Sequence, residues 1–139
     1  MAELGERDRQ AVTHLFAAAQ RPVRIRVVLP GGPGTEVKTG FRAALAEVAE
    51  LVPLLQVEEC TPEAAPALVE RTPAVALLDE EGADLRIRFY GLPTGYEFSS
   101  FLSVVADAAA PQSALQPMTL EALAALKQDV QIKVFSTPT

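Results

Sequence analysis

Two short apolar runs bracket one strongly amphipathic segment, and that arrangement limits the possible folds more than any other feature of the chain. Val23 to Leu29 reads VRIRVVL, alternating apolar with arginine before turning wholly apolar, as a strand does on entering a core. Pro30-Gly31-Gly32-Pro33-Gly34 is a loop on composition alone. Val37, Phe41, Ala44, Leu45, Val48 and Leu51 then recur at three- and four-residue steps, opposite Lys38, Arg42 and Glu50. Pro53 closes this helix, and Leu54 to Val57 is the next strand. Strand, helix and strand in that order point to an α/β domain.

The pattern continues on both sides. Arg7 to Ala19 predicts a helix with Ala11, Leu15, Phe16 and Ala19 on one stripe, stopped at Arg21-Pro22. Thr61-Pro62-Glu63 looks like an N-cap with proline at the first helical position, opening a short helix through Glu70 that Pro66 interrupts. Ala74 to Leu78, the acidic turn Asp79 to Gly82 and the alternating Leu85 to Tyr90 read as an antiparallel hairpin. Gly91, Pro93 and Gly95 precede a last helix with Phe98, Phe101, Leu102, Val105 and Ala109 at core spacing. Residues 1–110 thus form one unit of order helix, then β-α-β-(α)-β-β-α. A proline-bounded linker spans 111–117. Within 118–139, a helix over Leu120 to Leu126 and a strand over Val130 to Phe135 (VQIKVF) resemble the passage that leads into VRIRVV, as though a second unit begins.

Composition excludes several functions. A chain of 139 residues suits one compact domain with a core of its own. A net charge of −6 disfavours a nucleic-acid backbone or an anionic membrane as partner. One cysteine and one histidine remove a disulfide framework, a zinc cluster and any CxxC pair, so the metal and cofactor expectation is none. The absence of a secretory leader and of a spanning apolar run, with a lone Cys60, leads to the expectation of a soluble cytoplasmic protein.

The run Tyr90-Gly91-Leu92-Pro93-Thr94-Gly95-Tyr96-Glu97-Phe98 carries a resemblance. Tyr90, Gly91, Pro93, Gly95, Glu97 and Phe98, with Thr72-Pro73 opening a strand, look like the two-unit, glutaredoxin-like protein disulfide oxidoreductases. They are also similar to the N-terminal region of the flavin-containing alkyl hydroperoxide reductase subunit. The resemblance implies a thioredoxin-like, three-layer α/β/α fold with a central mixed sheet. It implies a Cys-x-x-Cys at the start of the helix after the first strand, where a helix N-terminus lowers a thiol pKa. The equivalent positions here are Thr35 and Lys38, neither of which can form a disulfide, so the resemblance implies a degenerate, redox-silent site. It further implies a cis Thr72–Pro73 bond lining a groove. After Thr137-Pro138-Thr139 it implies the Cys-Pro-x-Cys of a second, active unit, whose first thiol would fall just past residue 139.

Other residues carry blander readings. Cys60 lies between Glu59 and Thr61, outside the family's thiol position, and reads as structural or incidental. His14 has no nucleophile placed near it and reads as solvated. The 30–38 loop lacks both the Gly-Lys-Ser/Thr of a P-loop and G-x-G-x-x-G, which weakens a phosphate or small-molecule site there. Glu97 is explained by the positive end of its helix.

The leading expectation is a redox-inactive thioredoxin-fold module that scaffolds an active unit or a protein partner. The alternatives are a thiol–disulfide oxidoreductase whose CxxC lies beyond residue 139, and ligand binding at the 30–38 loop. The apolar faces of 120–126 and 130–135 are expected to dock on the first unit or to pair with the same strand of a second chain as a homodimer.

Overall fold

The structure is a computed structural model and describes residues 3–137. Helix α1 (Glu6–Leu15) leads into strand β1 (Val23–Val28), helix α2 (Glu36–Leu51) and strand β2 (Leu55–Cys60). Strands β3 (Ala74–Leu78) and β4 (Asp84–Tyr90) follow, then α3 (Tyr96–Ala109) and α4 (Pro117–Ala124). The strands form one mixed sheet of order β2-β1-β3-β4, with β1 and β2 parallel and both β3 contacts antiparallel.

Strand parity divides the sheet into two unlike faces. Val23, Ile25 and Val27 of β1, with Val75 and Leu77 of β3, share one core with α1, α2 and α3. Phe41, Leu45 and Val48 of α2 and Phe101 and Val105 of α3 are buried completely or nearly so against them. Four phenylalanines tie this layer together. Phe41 packs on Phe98 and Phe101 at 6.3 and 6.1 Å between centroids, and Phe101 meets Phe89 of β4 edge-on at 5.1 Å.

The opposite face is mixed. Its rows are Gln56–Arg24–Leu78–Asp84, Glu58–Arg26–Ala76–Arg88 and Cys60–Val28–Ala74–Tyr90, with Val28, Ala74, Ala76 and Leu78 buried among the polar groups. The arginines are bonded in place: Arg26 donates to Glu58 at 2.7 Å, and Arg88 donates to Asp84 at 2.6 Å and to the Leu68 carbonyl at 2.6 Å. The layer on this side is thin. The helix expected from Thr61 to Glu70 is a single 3-10 turn, Pro62–Ala64, followed by loop. Pro66 supplies the reason, since it lacks an N–H and restricts the residue before it.

Other expectations shift as well. Of the expected stripe, Phe16 at the C-cap of α1 is buried and Ala19 packs on the core, but Ala11 is exposed and Leu15 is 39% exposed, and Val12 takes the inward position within the helix. Val37, expected in the α2 core stripe, is 57% exposed because it lies in the first turn, above the end of the sheet. β2 runs on to Cys60, three residues past the expected end.

Residues 125–137 depart further. α4 forms, but Val130 to Phe135 joins no ladder. Its backbone has no neighbouring strand, and an isolated strand has nothing to hold it. Nor do these residues dock through their apolar faces: Leu120 and Leu123 of α4 and Leu126 are 41–55% exposed, and Ile132 and Val134 more than 80%. The tail meets the rest of the molecule through polar groups instead. Arg86 pairs with Asp129 at 3.2 Å, and the Ser136 hydroxyl donates to Glu97.

Candidate functional site

All four strands end in one row. Cys60 and Val28 close β2 and β1, Ala74 opens β3 and Tyr90 closes β4, and these residues are cross-strand partners. The loops Leu29 to Thr35, Thr72–Pro73 and Gly91 to Gly95 therefore meet at one end of the sheet, and α2 and α3 both start there. The site is a matter of topology before it is one of side chains.

Thr35 is the N-cap of α2, and its hydroxyl accepts a hydrogen bond from the Lys38 N–H at 3.3 Å. The two residues that resemblance assigned to a lost thiol pair are thus the cap and the third residue of the helix. Thr35 is exposed and Lys38 half-buried, and neither carries sulfur. The helix start still presents free N–H groups and the positive end of the dipole.

Thr72–Pro73 is a cis peptide, one residue before the Ala74–Val28 pair. The Pro73 carbonyl accepts from the Gly91 N–H at 2.8 Å, which holds the exit of β4 against the entry of β3. Gly91 has φ 82° and Gly95 φ 61° with ψ −133°, the latter a conformation open essentially to glycine alone. These two turns let the chain leave β4 and begin α3 within five residues. Phe98 then points inward, and Glu97 lies in the first turn, where a carboxylate is favoured. Tyr90 faces the thin layer: its hydroxyl accepts from the Glu70 N–H, and the Arg71 guanidinium lies 4.7 Å from its ring centre.

The fold is thioredoxin-like. The N-terminal domain of the alkylhydroperoxide reductase AhpF from Enterococcus faecalis superposes with a TM-score of 0.76 at 25% identity, over 91% of this chain and 62% of that one. A second structure of the same reductase, in mutant form, gives 0.75 at 26% identity over 88% of this chain and 61% of that one. A protein disulfide oxidoreductase from Aeropyrum pernix gives 0.69 at 27% identity, over 91% of this chain and 57% of that one. The chain thus spans about three-fifths of the length of these solved structures. No protein-family model and no curated protein matches the sequence.

In this thioredoxin-like unit the only cysteine lies outside the helix-start corner. Cys60 projects to the face away from α2, two strand spacings, about 10 Å, from Ala74. His14 is exposed on α1, whose following residues Gln20 and Arg21 donate to Ala109 at the far end of α3. The Pro30 to Gly34 loop is exposed and leads into the Thr35 cap.

One element of the corner was not readable from the chain. Arg42 of α2 forms a two-pronged ion pair with Glu59 of β2 at 2.5 and 2.8 Å, although 17 residues separate them. The hydrogen bond from Arg42, aided by the charges of Arg42 and Lys38, holds the Glu59 carboxyl below its usual range against the opposing cost of burial. The only sequence signal was an opposite charge on each of two neighbouring elements. Among the described residues, no group of three or more histidine, cysteine or acidic side chains could hold a metal. No helix among them is long and apolar enough to cross a membrane.

Proposed function

We propose that this chain is a thioredoxin unit with no thiol at its helix start, acting as a scaffold that packs against an active thioredoxin-like unit or a protein partner in a disulfide-oxidoreductase-like assembly. One observation carries the reading. The α2 N-terminus, where a redox pair would gain from the helix dipole, holds a threonine cap and a lysine, while the one cysteine faces elsewhere. A threonine hydroxyl has no accessible redox couple, and thiol–disulfide exchange needs a thiolate as attacking group. The tail over 120–135 supports the same reading, because its exposed apolar residues suit burial against a further unit or, as a second arrangement, the same strand of another copy. Electron transfer then belongs to the unit or partner that supplies the dithiol.

The test is insulin reduction driven by dithiothreitol. The chain is expected to give the uncatalysed rate, and Cys60→Ser is expected to change nothing. A rate above background that survives Cys60→Ser overturns the scaffold reading. Binding of phosphate-bearing compounds at the 30–38 loop would instead give a thermal shift lost on Lys38→Ala.

A further inference from the structure

The sheet has an open edge beside a cavity. Among the described residues, β2 is bonded only to β1. Val23 donates to the Leu54 carbonyl and Leu29 to that of Cys60, so even-numbered residues of β2 face β1. The N–H and C=O groups of Val57 and Glu59 consequently point outward. Directly against this edge, between β2 and α2, lies a cavity of about 460 Å³. Phe41 and Leu45 form its floor, Val57 and the small Ala46 and Ala49 its flanks, with Arg42, Glu59 and Glu50 on the rim. Val57 is 41% exposed.

Edge strands are ordinarily protected by unpaired charge. Here that protection is neutralised within the chain, because Glu59 is bonded to Arg42 and Glu58 is shared by Arg24 and Arg26.

We infer that the β2 edge and the flank of α2 form the contact between two copies of this chain, related by a two-fold axis through Val57. The edge is self-complementary in that register. Antiparallel pairing centred on Val57 sets it against its own counterpart, Gln56 against Glu58 and Leu55 against Glu59, so no like charges stand directly opposite. The helices agree. Arg42 to Glu50 covers eight residues, about 12 Å of helix. Glu59 to Leu55 covers four residues, about 13 Å of strand. Since Arg42 sits on Glu59, Glu50 lies alongside Leu55, and the axis brings the second copy's Arg42 next to Glu50. Ala46 falls midway between them, at the axis, where a small side chain lets the two helices approach. The pairing joins the two sheets into one and covers both cavities.

The experiment is sedimentation equilibrium of the full chain over a wide concentration range. The mass is expected to rise from 14.8 kDa toward twice that value. The Val57 and Glu59 amides should become protected from exchange as it does. Val57→Lys places two ammonium groups opposite each other and should weaken association at least about tenfold. Glu50→Arg should weaken it too, and exchange protection of β1 and β3 verifies that both variants are folded. A monomer at every concentration overturns the inference. So does association that Val57→Lys leaves intact but removal of residues 126–139 abolishes, which would assign the contact to the tail. Neither outcome bears on the insulin assay, so this inference and the scaffold reading fail separately.

Discussion

Placing a thiol at the start of α2 asks whether the corner keeps its electrostatics without its chemistry. The perturbation is Thr35→Cys in a Cys60→Ser background, so that one sulfur is present. An ordinary cysteine titrates near 8.5. At the cap, a thiolate gains about 0.3–1 kcal/mol from the helix terminus. It also takes over the Lys38 N–H now directed at the threonine hydroxyl, and a bond to a charged acceptor adds about 1 kcal/mol at an exposed site. Glu36, in the same turn, opposes ionisation, while the Lys38 ammonium favours it. The sum is about 1–2 kcal/mol, or about one pH unit at 1.36 kcal/mol per unit. The rate of alkylation by iodoacetamide as a function of pH should therefore have its midpoint near about 7.5. Adding Glu36→Gln should lower it further. A midpoint at or above about 8.5 would show that the helix start confers no thiolate stabilisation, and would remove the physical basis for identifying Thr35 with a lost redox position.

Two further outcomes follow from the geometry. Gly95→Ala meets no atom within 4 Å, so its cost is torsional alone: φ 61° with ψ −133° should cost about 1–3 kcal/mol and lower Tm by roughly 3–10 °C in a calorimetric scan; an unchanged Tm refutes the assignment. Arg88→Ala should flatten the acid limb of stability. Arg88 holds Asp84 below its ordinary 3.8, so the pair stabilises fully above that value and loses its effect as pH falls through the lower folded value. Urea titrations from neutral to acid pH should show wild type converging on the variant there, and parallel curves would contradict the pairing.

The main architecture was legible because it rests on local patterns. The α2 and α3 stripes, the hairpin and the VRIRVV strand each declare themselves within a dozen residues, and long periodic segments are the best determined by hydrophobic spacing. What failed depended on neighbours. VQIKVF alternates as well as VRIRVV does, yet only the latter lies between two partner strands, and alternation records a capacity to pair rather than a pairing. Val37 has helical spacing but sits beyond the sheet it was expected to cover. The Thr61 to Glu70 segment has a good start signal, but Pro66 breaks it from within. At the candidate site, Thr35 and Lys38 were reachable only by counting from the amphipathic helix. The Arg42–Glu59 bridge was out of reach, because nothing in one dimension says which of 18 acidic side chains meets which arginine.

The irregularity where the hairpin turns has a consequence of its own. Leu77 pairs with Ile87, but Leu78 pairs with Asp84, so Leu85 and Arg86 are looped out, and Arg86 adopts φ 64°. That surplus is two residues, an even number, so the alternation from Asp84 through Ile87 to Tyr90 is kept. Because successive side chains alternate between faces, removing a single amino acid here would swing Arg88 among the phenylalanines and turn Phe89 toward water. Length in this short stretch should accordingly be guarded more strictly than side-chain identity: substitutions at Leu85 or Arg86 leave the count intact, whereas a one-codon deletion inverts the edge strand.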